Sequence, residues 1–353
     1  MVVGATEVRA ARVRTKSTRR TVPTAALIIG AIIAAIPAPA TRAQSGHRPP
    51  VLRIGLEAGG TLTWVLRVMQ KLGLDRRPDL VLQPTPFATK AATETALRGG
   101  EVDVKVDDWL FVSWARAQGV RVQAVDGFSR AVGGIVVRSG SPIRILADLR
   151  GRRIAVTSLA DKSYLVLRTV AVARFGFDPQ RESGVIAAAP PLLNQLLERG
   201  DADAIVQYWQ FIPRLVATGR FRELASTAAL IRRLAPGDLP FLVLVATDDA
   251  VNTRAEALRA FLAGLHEGAA QLASRRDLWD ELFDEGLLGL PDRAMVPGLM
   301  ARFRSGIVSR WDQTTIDSLT KLTARLVEAA GPEIVGTAKL DPAAYNVQLI
   351  RTR

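Results

Sequence analysis

Leu197–Gly219, LERGDADAIVQYWQFIPRLVATG, has an echo one hundred positions earlier in Leu97–Gly119, LRGGEVDVKVDDWLFVSWARAQG. The offset pairs Leu97 with Leu197, Gly100 with Gly200 and Asp103 with Asp203. It also pairs Val106 with Val206, Trp109 with Trp209, Phe111 with Phe211 and Gly119 with Gly219. The same offset carries Arg53-Ile54 onto Arg153-Ile154. A unit this long is no solenoid repeat, and two lobes of similar design are the simpler reading. Each copy reads alike. An apolar-faced helix ends at a glycine able to take the left-handed conformation. A short buried strand follows, then a polar or aromatic tip that opens the next helix. Ligands of open α/β sheets sit beyond the carboxyl ends of the strands, so the two tips are the first candidates for a binding surface.

The chain has 353 residues, enough for two domains, with 48% hydrophobic and 23% charged residues. It has no cysteine, which excludes disulfides, thiolate metal sites and cysteine catalysis. His47 and His266 are its two histidines and lie in unlike segments, which speaks against a histidine metal site or a Ser-His-Asp triad. The formal charge is +13, but residues 1–43 hold seven basic groups against one acid, so +7 remains for the rest. The remaining arginines form no long basic run and no aromatic interleaving, so a nucleic-acid partner is not expected.

Residues 1–43 read as a signal peptide: a basic start, an apolar run from about Val22 to Ile36, then small residues. That run is shorter than a membrane span needs. Cleavage after Ala40 or, preferably, Ala43 is expected; Thr18-Arg19-Arg20 leaves a twin-arginine route open. Residues 44–50 are a tether. Residues 51–135 are read as the first part of lobe 1, 136–243 as lobe 2, and 244–345 as a helical return to lobe 1. Within them, Val51–Leu56 is expected as a strand, Leu62–Leu72 as a helix stopped by Gly73, and Leu80–Gln83 as a strand followed by a loop, Pro84-Thr85-Pro86. Strand–helix alternation implies an α/β fold with mostly parallel sheets. Val132–Arg138 and Phe241–Ala246 are continuous apolar strands placed to carry the chain between lobes. From Thr253 to about Ala330 the pattern is helical, and the tail carries no clear signal.

Asp148-Leu149-Arg150-Gly151-Arg152-Arg153-Ile154-Ala155-Val156 resembles the "DLKGKKIAV" segment of substrate-binding proteins of ABC importers, of the nitrate/sulfonate/taurine group with its thiamine-precursor-like members. Leu197, Gly200, Asp203 and Ala204 match that group's "L-x-x-G-x-x-D-A" strand, and Leu97, Gly100 and Asp103 its first-lobe counterpart. The resemblance covers roughly residues 51–270, and its motifs specify the fold better than the ligand. It implies the two-lobed periplasmic-binding-protein fold (type II), with two crossover strands and C-terminal helices packed back on lobe 1. It further implies a secreted periplasmic monomer that captures a small anionic or zwitterionic solute (sulfonate, taurine, nitrate or an aromatic acid) by lobe closure and passes it to an ABC permease. No enzyme activity and no cofactor are expected. Two rivals stay open: a periplasmic partner or sensor protein with a degenerate cleft, marked by Glu57 bonded to Lys105 or by a cleft filled over by side chains, and a cofactor-biosynthesis enzyme on the same fold.

The candidate ligand-binding residues follow from the tips and the turns. Glu57, Gly59, Gly60 and Thr61, and at the same offset Thr157 and Ser158, lie in turns that open helices, where unpaired N–H groups favour an anion; ordinary capping is the alternative. Glu57 repels an anion, so it either faces a ligand's cation or complements the helix dipole. Lys105 lies in mid-strand and needs a partner, either Asp107, Asp108 or a ligand acid. Trp109, Trp209 and Tyr208 either wall a ligand or fill the core at a helix start. Thr85 is placed on the first-lobe rim, with Trp64, Lys162 and Tyr164 as further rim candidates.

Overall fold

The computed structural model describes residues 49–77, 80–130, 133–235 and 239–350. Residues 1–43, read above as a signal peptide, lie outside the described residues. The chain first alternates strand and helix: β1 (Val51–Glu57), α1 (Leu62–Leu72), β2 (Val81–Phe87), α2 (Lys90–Arg98), β3 (Val104–Asp108), α3 (Trp109–Ala117) and β4 (Val122–Ser129). A second series follows: β5 (Gly133–Arg138), β6 (Arg153–Val156), α4 (Lys162–Phe175), α5 (Pro179–Glu182), β7 (Gly184–Ala187), α6 (Pro190–Arg199), β8 (Ala204–Tyr208), α7 (Ile212–Val216), β9 (Phe221–Ser226) and α8 (Thr227–Leu234). Strand β10 (Leu242–Thr247) precedes the helical part: α9 (Asp248–Thr253), α10 (Ala255–Ser274), α11 (Arg276–Asp284), α12 (Val296–Gly306), α13 (Gln313–Ala330) and α14 (Pro332–Val335).

The two halves repeat in space as they do in sequence. One five-stranded sheet runs β2-β1-β3-β10-β4 and the other β7-β6-β8-β5-β9. In each, the crossover strand lies second from one edge and runs antiparallel to both neighbours, while the three strands beyond it pair in parallel. Register obeys the hundred-residue offset too. Ile54 faces Val104 and Gly55 faces Lys105, as Ile154 faces Ala204 and Ala155 faces Ile205. The repeated aspartates explain why. Asp103 Oδ2 accepts from the Arg53 backbone N–H at 2.9 Å, and its Oδ1 from the Arg53 guanidinium at 2.5 Å. Asp203 takes the Arg153 N–H and guanidinium at 2.9 and 2.7 Å. Each aspartate therefore pins the start of the neighbouring strand. The Gly-x-x-Asp signature is architectural.

Strand β2 extends through Pro84, Thr85 and Pro86 to Phe87, where a loop was expected. It is an edge strand paired only with β1, and prolines are tolerated there because the outer side needs no N–H donors. Strand β9 and helix α8 were not read from the sequence; β9 is an edge strand, half-buried beyond the buried Phe221.

Helices α10 to α12 bury Leu258, Phe261, Leu265, Trp279, Leu299 and Phe303 against α1 and the first sheet. Helix α13 reaches further. Its Ile316, Leu319, Leu322 and Leu326 join a core shared with Trp109 and Leu110 of α3 and with Tyr164, Leu167 and Val170 of α4. It thus lies against both lobes. Among the described residues no helix is long and apolar enough to cross a membrane.

Candidate functional site

A cavity of about 120 Å³ opens between the two sheets, at the carboxyl ends of their parallel strands. The first lobe supplies the β1–α1 turn (Glu57, Gly59, Gly60, Thr61), Lys90 and Thr93 of α2, and Lys105, Asp107 and Asp108 of β3. The second supplies Asp161, Lys162, Pro190 and the tip Tyr208-Trp209-Gln210-Phe211; Phe128, Phe241 and Leu242 form the crossover side. Gly59 has φ 73° and sits 3.5 Å, measured from where its side chain would begin, from the Phe211 ring. A side chain there would meet strain and an aromatic wall together. Gln210 Nε2 donates to the Gly59 carbonyl across the cleft at 3.1 Å.

The floor is an ion network. Lys105, 1% exposed, donates to Asp107 Oδ2 at 2.5 Å and has its ammonium 5.0 Å from the centre of the Phe111 ring. Lys90 donates to Asp107 Oδ1 at 2.6 Å and to Asp108 Oδ2 at 2.8 Å, with Glu94 3.8 Å away. Asp107 Oδ1 also accepts the Asp108 N–H at 2.7 Å, and Asp108 Oδ1 caps α3 by accepting from Leu110 and Phe111. Burial alone would push Asp107 up, but the charges of Lys105 and Lys90 outweigh it and hold the carboxyl down at about 2. Burial would lower Lys90 as well, and the carboxylates of Asp107 and Asp108 instead lift it well above the ordinary lysine value. Both cations and both aspartates are therefore satisfied within the protein.

Glu57 and Asp161 stand differently. Glu57 ends β1 in the cavity wall and is not bonded to Lys105. Burial raises its carboxyl above the usual range, partly offset by Lys90 and Lys105, with the charges of Asp107 and Asp161 adding to the rise. Asp161 caps α4 with one oxygen, accepting from Ser163 and Tyr164 at 2.9 and 3.1 Å. Burial raises it too, more than the Tyr164 N–H and the distant Lys90 lower it. Beside Asp161 and Tyr208, the Thr157 hydroxyl is buried without a well-formed hydrogen bond. Burial likewise raises the Tyr208 hydroxyl.

Of the residues singled out in sequence, the structure brings Glu57, Gly59, Gly60, Thr61, Lys105, Asp107, Asp108, Tyr208 and Trp209 into one cavity lining. It does not bring Trp109, whose ring is wholly buried against Phe241 at 4.6 Å and whose N–H bonds to Thr323. Its offset partner Trp209 crosses into the first lobe instead. There its ring meets Trp64 edge-on at 5.7 Å and Phe303 at 6.5 Å, with Trp279 behind them. Thr85 lies on β2 beside Gly55, outside the lining, because β2 continues as an edge strand. Ser158 is exposed and its hydroxyl accepts the Ala160 N–H within its own turn; Thr157 sits just behind the lining. Trp64 and Tyr164 are core, and Lys162 holds the rim with its ammonium beside Gly336.

Lys90, Asp161 and Phe211 were missed. Lys90 carried a signal: a cation at a helix start opposes the dipole and needs a reason to be there. Asp161 was hidden by its capping role. Missed too was a second cavity of about 510 Å³ that shares Thr61 and Phe128 with the first; in it His266 Nε2 meets buried Asp126 at 2.5 Å. Among the described residues no three His, Asp or Glu side chains are grouped to hold a metal ion.

The fold is that of the alkanesulfonate-binding protein SsuA from Xanthomonas axonopodis pv. citri: 21% identity, TM-score 0.69, over 85% of this chain and 99% of that one. The periplasmic aliphatic sulphonate-binding protein SsuA of Escherichia coli matches at 18% identity and TM-score 0.67, over 83% and 90%. The ligand-binding component of an ABC-type import system from Staphylococcus aureus matches at 14% and 0.61, over 86% and 98%. No curated protein matches the sequence. The type II binding-protein architecture expected from the sequence is thus the one observed. Residues 79–276, more than half of the chain, match the family model described as NMT1/THI5 like, and the chain belongs to that family.

Proposed function

We propose that this chain is the solute-binding component of an ABC importer. Residues 1–43 direct it to the periplasm and are removed. The mature chain acts as a monomer, performs no chemistry, and holds a small solute between a lobe of residues 51–135 and 244–345 and a lobe of residues 136–243. The closed, loaded form docks on a membrane permease; no nucleic acid takes part.

One observation carries the reading: both sheets wall the same cavity. A solute there touches both lobes at once and favours the closed arrangement by its differential affinity for it. Enclosed clefts at domain junctions, aromatic on one side and polar on the other, are the usual form of small-molecule sites. The satisfied Lys105–Asp107 pair argues against a degenerate cleft closed by a Glu57–Lys105 bond.

Thermal unfolding against nitrate, taurine, alkanesulfonates, aromatic acids and pyrimidines tests it. A ligand at ~100 times its dissociation constant adds about 2.7 kcal/mol, a shift of several degrees. If no member of the panel moves the midpoint or the small-angle scattering profile, the reading fails.

A further inference from the structure

The repeat that built the two lobes also shows where they part. At the hundred-residue offset, Lys90, Glu94, Lys105, Asp107 and Asp108 of the first lobe stand where the second has Pro190, Asn194, Ile205, Gln207 and Tyr208. The geometry is conserved while the charge is not. Asp107 Oδ1 accepts the Asp108 N–H at 2.7 Å, and Gln207 Oε1 accepts the Tyr208 N–H at 2.8 Å. Gln207 turns its amide to the Pro190 carbonyl and Asn194, as Asp107 turns its carboxylate to Lys90. A neutral amide network therefore does the same structural work in one lobe that an ion network does in the other.

The ion network leaves the cleft acidic. Lys90 and Lys105 balance Asp107 and Asp108, and the Lys162 ammonium lies 3.9 Å from where a side chain at Gly336, a residue outside the lining, would begin. Among the described residues no arginine lines the cavity. Glu57 and Asp161 are left over, one from each lobe, near enough for their charges to repel. The Glu57 carboxylate takes no hydrogen bond among the described residues, although its backbone carbonyl accepts the Gly60 N–H at 2.9 Å. The buried Thr157 hydroxyl next to Asp161 lacks a well-formed bond. Two carboxylates buried in the lining of one cavity, each raised by burial, are costly unless something positive sits between them. Trp209 and Phe211 supply ring surface in the same lining, which also suits a cation.

We infer that the solute taken into this cleft carries a cationic nitrogen, an ammonium or quaternary ammonium, seated between Glu57 of the first lobe and Asp161 of the second. The inference rests on the solute-binding reading above and narrows it: a sulfonate or nitrate alone is repelled, and an anionic group is accepted only on a molecule that also brings the cation. Because the two carboxylates belong to different lobes, the cation is also what relieves their repulsion on closure.

The test uses the purified protein with three probes of similar size, choline, taurine and ethanesulfonate. Calorimetry and thermal unfolding are run on the native chain and on Glu57→Gln and Asp161→Asn. Asparagine still caps a helix, so Asp161→Asn keeps α4 intact, and circular dichroism checks both folds. Choline or taurine binds and ethanesulfonate does not. Either substitution weakens the bound probe about 10- to 100-fold, the worth of a charged hydrogen bond. Binding fades as pH falls through the raised carboxyls of Glu57 and Asp161, with Lys90 and Asp107 keeping their charges. Ethanesulfonate binding where choline and taurine fail, or an affinity unmoved by Glu57→Gln, overturns the cation and leaves the solute-binding reading standing. Failure of all three probes where nitrate, an aromatic acid or a pyrimidine shifts unfolding overturns the cation alone, and failure of the whole panel overturns both.

Discussion

Replacing Trp209 by alanine separates closure from folding. Trp209 belongs to the second lobe by sequence, on the tip after β8, yet it is 4% exposed inside the first-lobe core. A tryptophan side chain buries roughly 150–250 Å², worth about 4–6 kcal/mol at 25 cal/mol per Å². Truncations of this kind cost about 3–5 kcal/mol. If the lobes can part, that cost falls on the closed arrangement alone, because each lobe keeps its own sheet and helices. At about 1.4 kcal/mol per decade, the ratio of closed to open falls by two to three and a half decades, roughly 100- to 4,000-fold. The Gln210–Gly59 and Arg302–Glu223 bonds, at 3.1 and 2.6 Å, remain but are worth only about 1–3 kcal/mol each. Small-angle scattering should show a larger radius of gyration and a broader distance distribution. Ligand affinity should fall with the closed population, and the unfolding midpoint of the separated lobes should move little. The reasoning is refuted by a scattering profile identical to that of the native chain together with a global stability loss of the full 3–5 kcal/mol. That outcome makes Trp209 an ordinary core residue of one rigid body.

The two strand-pinning aspartates should differ sharply. Asp103→Ala removes a 1%-exposed acceptor shared by Arg53 and Arg254 and should cost about 3 kcal/mol in denaturant unfolding, whereas Asp203→Ala, whose partner Arg153 is exposed, should cost about 1 kcal/mol or less. His266 has its pKa raised by the hydrogen bond to Asp126, against the effect of burial. Its stabilising contribution is therefore complete below the unfolded histidine value and lost as pH rises through the raised folded one; the fall in midpoint across that interval should vanish in His266→Gln. Rebuilding the second lobe's neutral pair in the first, Lys105→Ile with Asp107→Gln, should leave stability within about 1 kcal/mol of the native chain, while Lys105→Ile alone costs about 3 kcal/mol by leaving Asp107 under-compensated.

The fold was legible because the repeat left its mark at positions that fix strand register. Asp103 and Asp203, with the glycines three positions before them, do the same job in both lobes, so their likeness in sequence was a true likeness in structure. The cleft was legible as a place, since it follows from where parallel strands end. Its residues were less so. Trp109 and Trp209 look equivalent at the offset, but one side chain points beneath its own helix and the other across the gap, a difference set by what stands opposite them. Thr85 was misplaced because two prolines read as a loop, and only the knowledge that β2 is an edge strand removes the objection. Asp161 was concealed by having two uses, capping α4 and lining the cavity.

The divergence between the lobes is more informative than their likeness. Matching positions that keep their residues, such as Asp103 and Asp203, hold strands together. Matching positions that keep their hydrogen-bond geometry but change their charge, such as Asp107 and Gln207, cannot be explained by architecture, because the neutral version performs the structural task equally well. Ionic networks in a partly buried setting bring a desolvation cost that a neutral pair avoids. Their presence in one lobe only, on the floor of the shared cavity, is accounted for by the field they set there. Lys90 and Lys105 pair with Asp107 and Asp108, so Glu57 and Asp161 define the charge that an incoming solute meets.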